Sequence, residues 1–279
     1  MAGWITGICK ANGIDMHYLR TGGDKPPVVL LHGLMLNGAC WTPLAQELEE
    51  HYDVIMPDAR GHGNSSTPNH GYRYHDLAAD VVNLIDALGL ITPVLLGHSM
   101  GGMTAAVVAS QNPKRLRGLV LVDPCFLTPQ RQHEVHESDV ADQHRQILNQ
   151  PMEDLLAEME GRHNCRSREV IELFVQARFQ TSIRAFEVLT PPNPDYMQLI
   201  NTLDVPSLLV VGDVGSIVTL EMAAELAGLN KYLKVSQIEN AGHGIPYDQP
   251  ERFSDVVQTF LRSVSTCLIK THLLTRVNR

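Results

Sequence analysis

The sequence has little of what marks disulfide scaffolds, membrane spans and nucleic-acid binders. Its cysteines are few, odd in number, scattered and without a C-x-x-C pair: Cys9, Cys40, Cys125, Cys165 and Cys267. This usage argues against a disulfide framework and against a zinc site. No uncharged apolar run approaches the roughly 18 residues of a membrane helix. The 22 Lys+Arg against 31 Asp+Glu give a net charge of −9, which disfavours nucleic acid and anionic membranes as partners.

The first residues, Met-Ala-Gly-Trp-Ile-Thr-Gly, contain neither a basic nor an apolar region, so we expect no secretory leader. We therefore expect a cytoplasmic protein with reduced thiols. Hydrophobic residues make up 44% of the 279 residues and charged residues 19%. This composition is typical of a globular protein with a sizeable core. The length suits one large α/β domain, with or without an insert.

Short apolar runs bounded by turn residues predict the buried strands. They occupy residues 28–31, 54–56, 94–96, 119–122, 208–211 and 233–238. Because these runs do not alternate with polar residues, both faces of the sheet are expected to be covered and the sheet to be largely parallel. Helix-like segments separate them at residues 41–48, 74–88, 101–111, 221–226 and 250–264. The alternation predicts a doubly wound α/β domain, preceded by two antiparallel strands near residues 5–9 and 16–19.

The alternation stops between residues 126 and 202, where helix-like segments occur without a strand-like run. An insert of this kind between two sheet strands is expected to form a helical cap. The predicted organisation is an α/β core at residues 1–125 and 203–264, a cap at 126–202, and a tail at 265–279 that extends the last helix. The histidines of the cap are predicted to lie on its polar surface: His133, His136, His144 and His163.

The strongest motif is the pentapeptide Gly97-His98-Ser99-Met100-Gly101. It follows an apolar strand and precedes a helix of small residues, which is the strand–turn–helix setting of a G-x-S-x-G nucleophile elbow. The glycines leave room for a sharp turn that lifts the serine hydroxyl clear of the sheet. The helix behind it directs its N-terminal dipole at developing negative charge. We predict Ser99 to be a nucleophile.

A serine hydroxyl needs a base, and His243 is the best placed of the 13 histidines. It lies in a loop of small residues just past the last predicted strand, from which an imidazole can reach the nucleophile. An oxyanion also needs donors. The backbone amides of Leu34, after the first buried strand, and of Met100, beside the nucleophile, are the predicted donors. This chemistry requires no metal ion and no organic cofactor.

Four segments in this order resemble the cap-bearing branch of the α/β-hydrolase family: His32-Gly33, residues 58–65, the elbow at Ser99, and Asn240-Ala241-Gly242-His243. The resemblance extends over most of the chain. It implies esterase-type chemistry on a small or medium-sized substrate under a mobile lid, with Ser99 and His243 in the family's catalytic roles. A serine nucleophile disfavours epoxide opening and dehalogenation, because those reactions use a carboxylate nucleophile.

Residues 58–65 are interpreted as a structural loop rather than as part of the chemistry. Asp58 and Arg60 are predicted to pair with each other and hold the loop, whose glycines permit the turn. His62 is not expected to be catalytic.

The third member of the triad departs from the family pattern. The family places its acid between serine and histidine in the sequence, three residues past the glycine that closes the penultimate strand, and here that position is Gly215. Asp213 stands two residues early. Asp123 ends the strand after the elbow helix, where some relatives, including the zearalenone lactonases, carry their acid. We favour Asp123 as the orienting acid and keep Asp213 as the alternative.

The leading interpretation is a serine hydrolase that cleaves a carboxylic ester or lactone through an acyl-enzyme. Carbon–carbon bond hydrolysis or perhydrolysis on the same triad is an alternative, and so is a non-catalytic small-molecule receptor on the same scaffold. Gly33, Trp41 and Phe126 are predicted to line the substrate site, with Phe174 and Phe179 as further candidates. The cap carries no recognisable specificity code, and the oligomeric state is left open.

Overall fold

Eight strands form one sheet in the order β1-β2-β4-β3-β5-β6-β7-β8. In the computed structural model, which describes residues 3–162 and 166–277 with side chains through residue 265, the strands are β1 (Ile5–Ala11), β2 (Ile14–Arg20), β3 (Pro27–Leu31), β4 (Asp53–Pro57), β5 (Val94–His98), β6 (Gly118–Val122), β7 (Ser207–Gly212) and β8 (Leu233–Ile238). Strand β2 pairs antiparallel with β1 and β4, and the other neighbours pair parallel. The predicted doubly wound, mostly parallel α/β fold is confirmed.

The helices follow the strands in the predicted alternation. They are α1 (Thr42–Leu48), α2 (Tyr74–Ala87), α3 (Met100–Gln111), α4 (Pro129–His136), α5 (Val140–Leu148), α6 (Met152–Arg162), α7 (Arg168–Phe179), α8 (Tyr196–Asn201), α9 (Leu220–Leu229), α10 (Ile245–Asp248) and α11 (Pro250–Val277), with short 3₁₀ turns at Gly38–Trp41, Pro113–Arg115 and Ile183–Leu189. Most of the predicted tail therefore continues the last helix.

Helices cover the sheet on both faces, which explains the continuous apolar strands. Val29 of β3 packs in the cluster that contains the inner faces of α2 and α3. The next residue, Leu30, packs in the cluster under α1 and α11. Both side chains are fully buried, because a strand between two helical layers has no solvent face.

Helices α2 and α3 pack against the same face of the sheet but are buried to different extents. In α2 the buried residues Leu77, Val81 and Leu84 recur at helical spacing, so one stripe faces the core. Helix α3 is buried on all sides from Met100 to Ala109 and consists mainly of small residues. Small side chains let its backbone approach the sheet closely, which fixes the position of its N-terminus at the end of β5.

The insert between β6 and β7 (residues 126–202) is helical, with no strand in its described part. Helices α6 and α7 pack against each other, and α7 also contacts the 3₁₀ turn at Gly38–Trp41. Helix α8 packs against α3 and α9 instead. The last helix of the insert, α8, therefore belongs to the layer that covers the sheet.

The histidines of the insert do not share one environment. His133 and His136 are exposed, as predicted, and His163 lies outside the described residues. The prediction of a surface position is wrong for His144, which is fully buried. Its Nε2 lies 2.9 Å from the Thr181 carbonyl oxygen and its ring packs on Phe186, because α5 turns this residue toward the interior of the insert.

Two further observations concern the described part of the chain. Among the described residues, no helix combines the length and apolar character needed to span a bilayer. Cys9, Cys40 and Cys125 are free thiols.

Candidate active site

The backbone at Ser99 makes the sharp turn that the motif predicts. Ser99 has φ 54° and ψ −116° and connects β5 to the first residue of α3. A Cβ on Gly97 would lie 2.1 Å from the Gly101 carbonyl oxygen, and a Cβ on Gly101 would lie 2.3 Å from the Leu31 carbonyl oxygen. Only glycine fits either position, so the two glycines allow the strained elbow that presents the Ser99 hydroxyl.

The His243 imidazole connects Ser99 to a buried carboxylate. Its Nε2 lies 3.0 Å from Ser99 Oγ, and its Nδ1 lies 2.6 Å from Asp123 Oδ2. Asp123 is fully buried, whereas the His243 side chain is 38% exposed. The order hydroxyl, imidazole, carboxylate is the geometry required to activate a serine.

The two aspartates left open by the sequence occupy different places. Asp123 Oδ2 also accepts the Ile217 amide at 3.0 Å, and its Oδ1 accepts the Val218 amide at 2.9 Å. The exposed Asp213 accepts the Ala241 amide at 3.2 Å and so supports the loop that carries His243. Asp123, and not Asp213, contacts the imidazole.

The loop after β3 is held by two buried histidines. The Met35 amide donates to His62 Nε2 at 3.4 Å, and the Ala59 amide donates to His32 Nε2 at 2.9 Å. His32 Nδ1 donates to the Gly33 carbonyl at 2.8 Å. The Leu34 amide has no acceptor in the described part of the chain. Residue Met100 is the first of α3, so its amide has no intrahelical acceptor either.

Burial lowers the pKa of two histidines near the site, His98 and His62. Burial, together with the neighbouring His243 imidazole, lowers the pKa of His98 to about 3, and burial also lowers the pKa of His62 to about 3. The His98 Nε2–H donates to the His243 carbonyl at 2.8 Å. The residue between glycine and serine in the elbow therefore fixes the backbone of His243, a role that the motif alone does not reveal.

A cavity of about 530 Å³ opens above Ser99, between the core and the insert. Gly33, a predicted substrate-site residue, lines it, and so do Leu34 and Met100, the predicted oxyanion donors. The insert contributes Met159, Phe174 and Arg178, among other residues. A cavity of this size is suited to a small organic substrate.

The family follows from comparison with known proteins. The model of the α/β-hydrolase fold matches residues 26–250 of the chain. The chain belongs to the α/β-hydrolase family. N-formylmaleamate deformylase of Pseudomonas putida is 30% identical over 270 residues, which cover 91% of this chain and 96% of that protein.

Solved structures of other hydrolases share the fold of this one. An esterase from Thermogutta terrifontis has a TM-score of 0.74 and 26% identity, with 93% of this chain and 99% of that chain covered. E-2-(acetamidomethylene)succinate hydrolase has a TM-score of 0.80 and 22% identity, with 93% and 99% covered. The second likeness concerns the fold alone.

Two aromatic residues predicted to line the substrate site of the hydrolase lie elsewhere. Trp41 is 1% exposed and packs in the cluster under α1 and α11. There it stacks on Phe253, with ring centroids 6.4 Å apart. Phe126 is 2% exposed and stacks on Tyr196 at 5.2 Å. Neither lines the cavity, because helix packing turns both rings into the core. Phe174 does line it, and Phe179 does not.

The predicted pair between Asp58 and Arg60 is wrong. Arg60 Nε donates to Asp80 Oδ2 of α2 at 2.6 Å. Asp58 Oδ2 lies 2.8 Å from His17 Nδ1, and its Oδ1 accepts the Gly38 amide at 2.7 Å. The two side chains leave the strand end in opposite directions, so each finds a partner on a different element.

Polar residues of the cavity that sequence reasoning missed come from the insert and from α10. Arg166, Arg178 and Tyr247 are among them. No motif marks them, because their proximity to Ser99 depends on how the insert folds over the sheet. Within the described residues, no group of three or more His, Cys, Asp or Glu side chains is arranged to hold a metal ion.

Proposed function

We propose that this hydrolase cleaves a small carboxylic ester or lactone through an acyl-enzyme on Ser99. The observation that carries the proposal is the contact series from Ser99 Oγ through His243 to the buried Asp123, at the floor of the cavity. In this proposal Ser99 is the nucleophile, His243 the general base and acid, and Asp123 the group that orients the imidazole.

The reaction proceeds in two halves. His243 Nε2 accepts the proton of Ser99 Oγ as the oxygen attacks the acyl carbon, and the tetrahedral oxyanion is held by the Leu34 and Met100 amides. The intermediate collapses when His243 gives the proton to the leaving alkoxide, which departs as an alcohol. Water then attacks the acyl-enzyme with His243 again as base, and the carboxylic acid and free Ser99 are released.

The insert acts as the cap in this proposal. Its residues Phe174 and Met159 form an apolar part of the cavity wall, which keeps bulk water from the oxyanion and strengthens the amide hydrogen bonds. The core and cap division at residues 126–202 therefore separates the catalytic groups from the groups that select the substrate.

Hydrolysis of an N-acyl bond is the second candidate, and one comparison favours it. The name of the 30% identical relative, N-formylmaleamate deformylase, describes removal of a formyl group from nitrogen. The same steps apply with an amine or amide nitrogen as leaving group, which His243 protonates. Carbon–carbon hydrolysis would use the triad with a carbanion leaving group.

The test is turnover of p-nitrophenyl acetate and butyrate by the wild type, Ser99→Ala, Asp123→Asn and Asp213→Asn. We expect Ser99→Ala to abolish turnover and Asp123→Asn to lower kcat by about 10⁴-fold, because the imidazole loses its orienting acceptor. Asp213→Asn is the matched control, with an expected change of less than about threefold.

Three outcomes would contradict the proposal. Equal turnover by wild type and Ser99→Ala would remove Ser99 from the mechanism. A collapse in Asp213→Asn with an active Asp123→Asn would exchange the roles of the two aspartates. If the wild type is inert toward these esters but releases formate from N-formyl amides, the second candidate replaces the first.

A further inference from the structure

The charges on the cavity wall are opposite to the charge of the protein. The chain carries 31 acidic against 22 basic residues. Among the described residues that line the cavity above Ser99, two are arginines, Arg166 and Arg178, and none is an aspartate or glutamate. A site with this wall attracts negative charge.

The two arginines differ in how their charge is balanced. Arg166 forms an ion pair with Asp248, with Nη2 and Nε at 2.7 and 3.2 Å from Asp248 Oδ1. Its guanidinium also lies over the Phe174 ring, 5.3 Å from the centroid. Arg166 is therefore already neutralised by the protein and holds the segment after His243.

Arg178 has no comparable partner. Among the described residues, its side chain forms one hydrogen bond, from Nη1 to Met35 Sδ at 2.7 Å, and a thioether is a weak acceptor. No carboxylate within residues 3–162 and 166–265 forms an ion pair with it. The side chain is half-buried, and burial lowers its pKa, an effect that the charge of Glu158 only partly opposes. Glu158 is already ion-paired with Arg162. An unpaired guanidinium in such a place is destabilising unless an anion binds it.

We propose that Arg178 is the binding site for a carboxylate of the substrate, so that the compound cleaved at Ser99 is an acidic ester, lactone or N-acyl compound. This inference rests on the proposed function of Ser99, and it adds the substrate class. The planar fork of the guanidinium matches a carboxylate with two parallel N–H···O bonds.

The position of Arg178 also orients the substrate. Met35, which it contacts, is the neighbour of Leu34, whose amide is the proposed oxyanion donor. A carboxylate on Arg178 therefore lies beside the oxyanion loop and fixes the acyl carbon relative to Ser99. We expect binding at Arg178 to act on kcat/KM by orienting the reacting group as well as by holding the substrate.

The experiment compares acidic esters with neutral esters of the same shape. Substrates are the p-nitrophenyl monoesters of succinic, glutaric and adipic acid, and the matched esters in which an isopropyl group replaces the free carboxylate, with blank rates subtracted. In the wild type we expect the acidic member of at least one pair to have the higher kcat/KM. Arg178→Gln should lower that acidic-to-neutral ratio by roughly 10- to 100-fold, the effect of losing charge-assisted hydrogen bonds.

Arg168→Gln is the matched control, because Arg168 lies on the same helix, α7, and is exposed and paired with Glu172. It removes the same charge without touching the cavity, so the ratio should stay within about twofold. The melting temperature of Arg178→Gln should equal or exceed that of the wild type, since an unpaired buried cation is removed. A purely structural role would lower it.

An unchanged ratio in Arg178→Gln at every chain length, or an equal fall in Arg168→Gln, would overturn the assignment. If the wild type cleaves none of these esters, the proposed ester chemistry fails and the subsite is tested by calorimetric titration of wild type with glutarate and adipate. Binding that weakens at least tenfold in Arg178→Gln but not in Arg168→Gln supports the carboxylate site independently. Equal binding by the two variants overturns it.

Discussion

Two regions of the molecule contain the same series of contacts, a hydroxyl, an imidazole and an aspartate. In one, Ser99 Oγ lies 3.0 Å from His243 Nε2, and Nδ1 of that ring lies 2.6 Å from Asp123. In the other, Thr6 Oγ1 lies 2.9 Å from His17 Nε2, whose Nδ1 lies 2.8 Å from Asp58. Connectivity and distances alone do not separate the two.

The surroundings of the hydroxyl separate them. Ser99 sits in a strained turn at the N-terminus of α3 and faces the cavity. Thr6 lies in β1, an edge strand, and is exposed. Neither Thr6 nor His17 is among the described residues that line the cavity. In the proposed function, the elbow, the free amides and the enclosed space therefore distinguish the Ser99 series from the Thr6 series.

The two aspartates are held for different purposes. Asp58 accepts the Gly38 amide at 2.7 Å and the Asn64 amide at 2.9 Å in addition to His17. Burial alone would raise the pKa of Asp58, but these hydrogen bonds outweigh it and hold the pKa below its usual value. The Asp58 cluster fastens three segments of the core, and the Asp123 cluster orients one imidazole.

The largest expected effect is a difference in catalytic activity between substitutions of His243 and of His17. His243→Ala should lower kcat for an accepted ester by about 10⁴-fold or more, because Ser99 loses its base. His17→Ala should change kcat by less than about threefold when assayed at a temperature where it is folded. The measurement is steady-state turnover normalised to the concentration of folded enzyme. Comparable losses in both variants would make the second series part of the catalytic apparatus.

A smaller effect, on stability, is expected from a substitution in the region of Thr6, His17 and Asp58. Asp58→Asn should lower the free energy of unfolding at pH 7 by about 3 kcal/mol, since buried donors lose a charged acceptor. The depressed pKa of Asp58 means that its contribution is complete above the unfolded pKa of about 3.9 and is lost as pH falls through the folded value. The difference between wild type and variant should therefore shrink below about pH 4.

Urea unfolding at pH 7 and at pH 3.5 measures this difference, with His17→Ala as a second perturbation of the same cluster. A deficit of less than about 0.5 kcal/mol at pH 7 would contradict the structural role of Asp58, because surface substitutions have effects of that size. Turnover per folded molecule should survive the substitution.

Comparison of the two regions also shows what the sequence can predict. Ser99 lies in a motif whose glycines have a steric reason, and its strand and helix follow from apolar periodicity, so the elbow and the parallel sheet were predictable. Asp123 and Asp213 both follow sheet strands. The choice between them depends on the turn at Asp123, where φ is 36°, and on the loop after β7. Periodicity carries no information on either.

Side chains that point across the fold were the least predictable. Arg60 reaches Asp80 on α2 rather than the nearby Asp58, because burial directs it away from its sequence neighbour. Trp41 is an aromatic residue of the kind that often lines pockets, but its ring packs in the core. Arg178 is one of several arginines in the insert, and only the folded insert places it in the cavity without a carboxylate partner.

The smallest effect concerns His62, which lies between the two regions. Its ring packs against His32 at 5.0 Å, and its Nε2 accepts the Met35 amide of the oxyanion loop. Burial, together with the neighbouring His32 imidazole, lowers the pKa of His62 to about 3, against about 6.5 in the unfolded chain. Between these values the unfolded chain binds more protons, so stability falls as pH falls, by about 1.4 kcal/mol per pH unit.

His62→Gln removes this proton uptake, so the loss of unfolding free energy between pH 5.5 and 4.5 should be about 1.4 kcal/mol smaller than in the wild type. The variant itself should be less stable at pH 7, because the Met35 amide loses a fitted acceptor. Urea unfolding at the two pH values measures both, with the exposed His136→Gln as the control for removing an imidazole. An unchanged slope in His62→Gln would mean that His62 is protonated in the folded state. The Met35 amide would then lack its acceptor, and the oxyanion loop would be held by His32 alone.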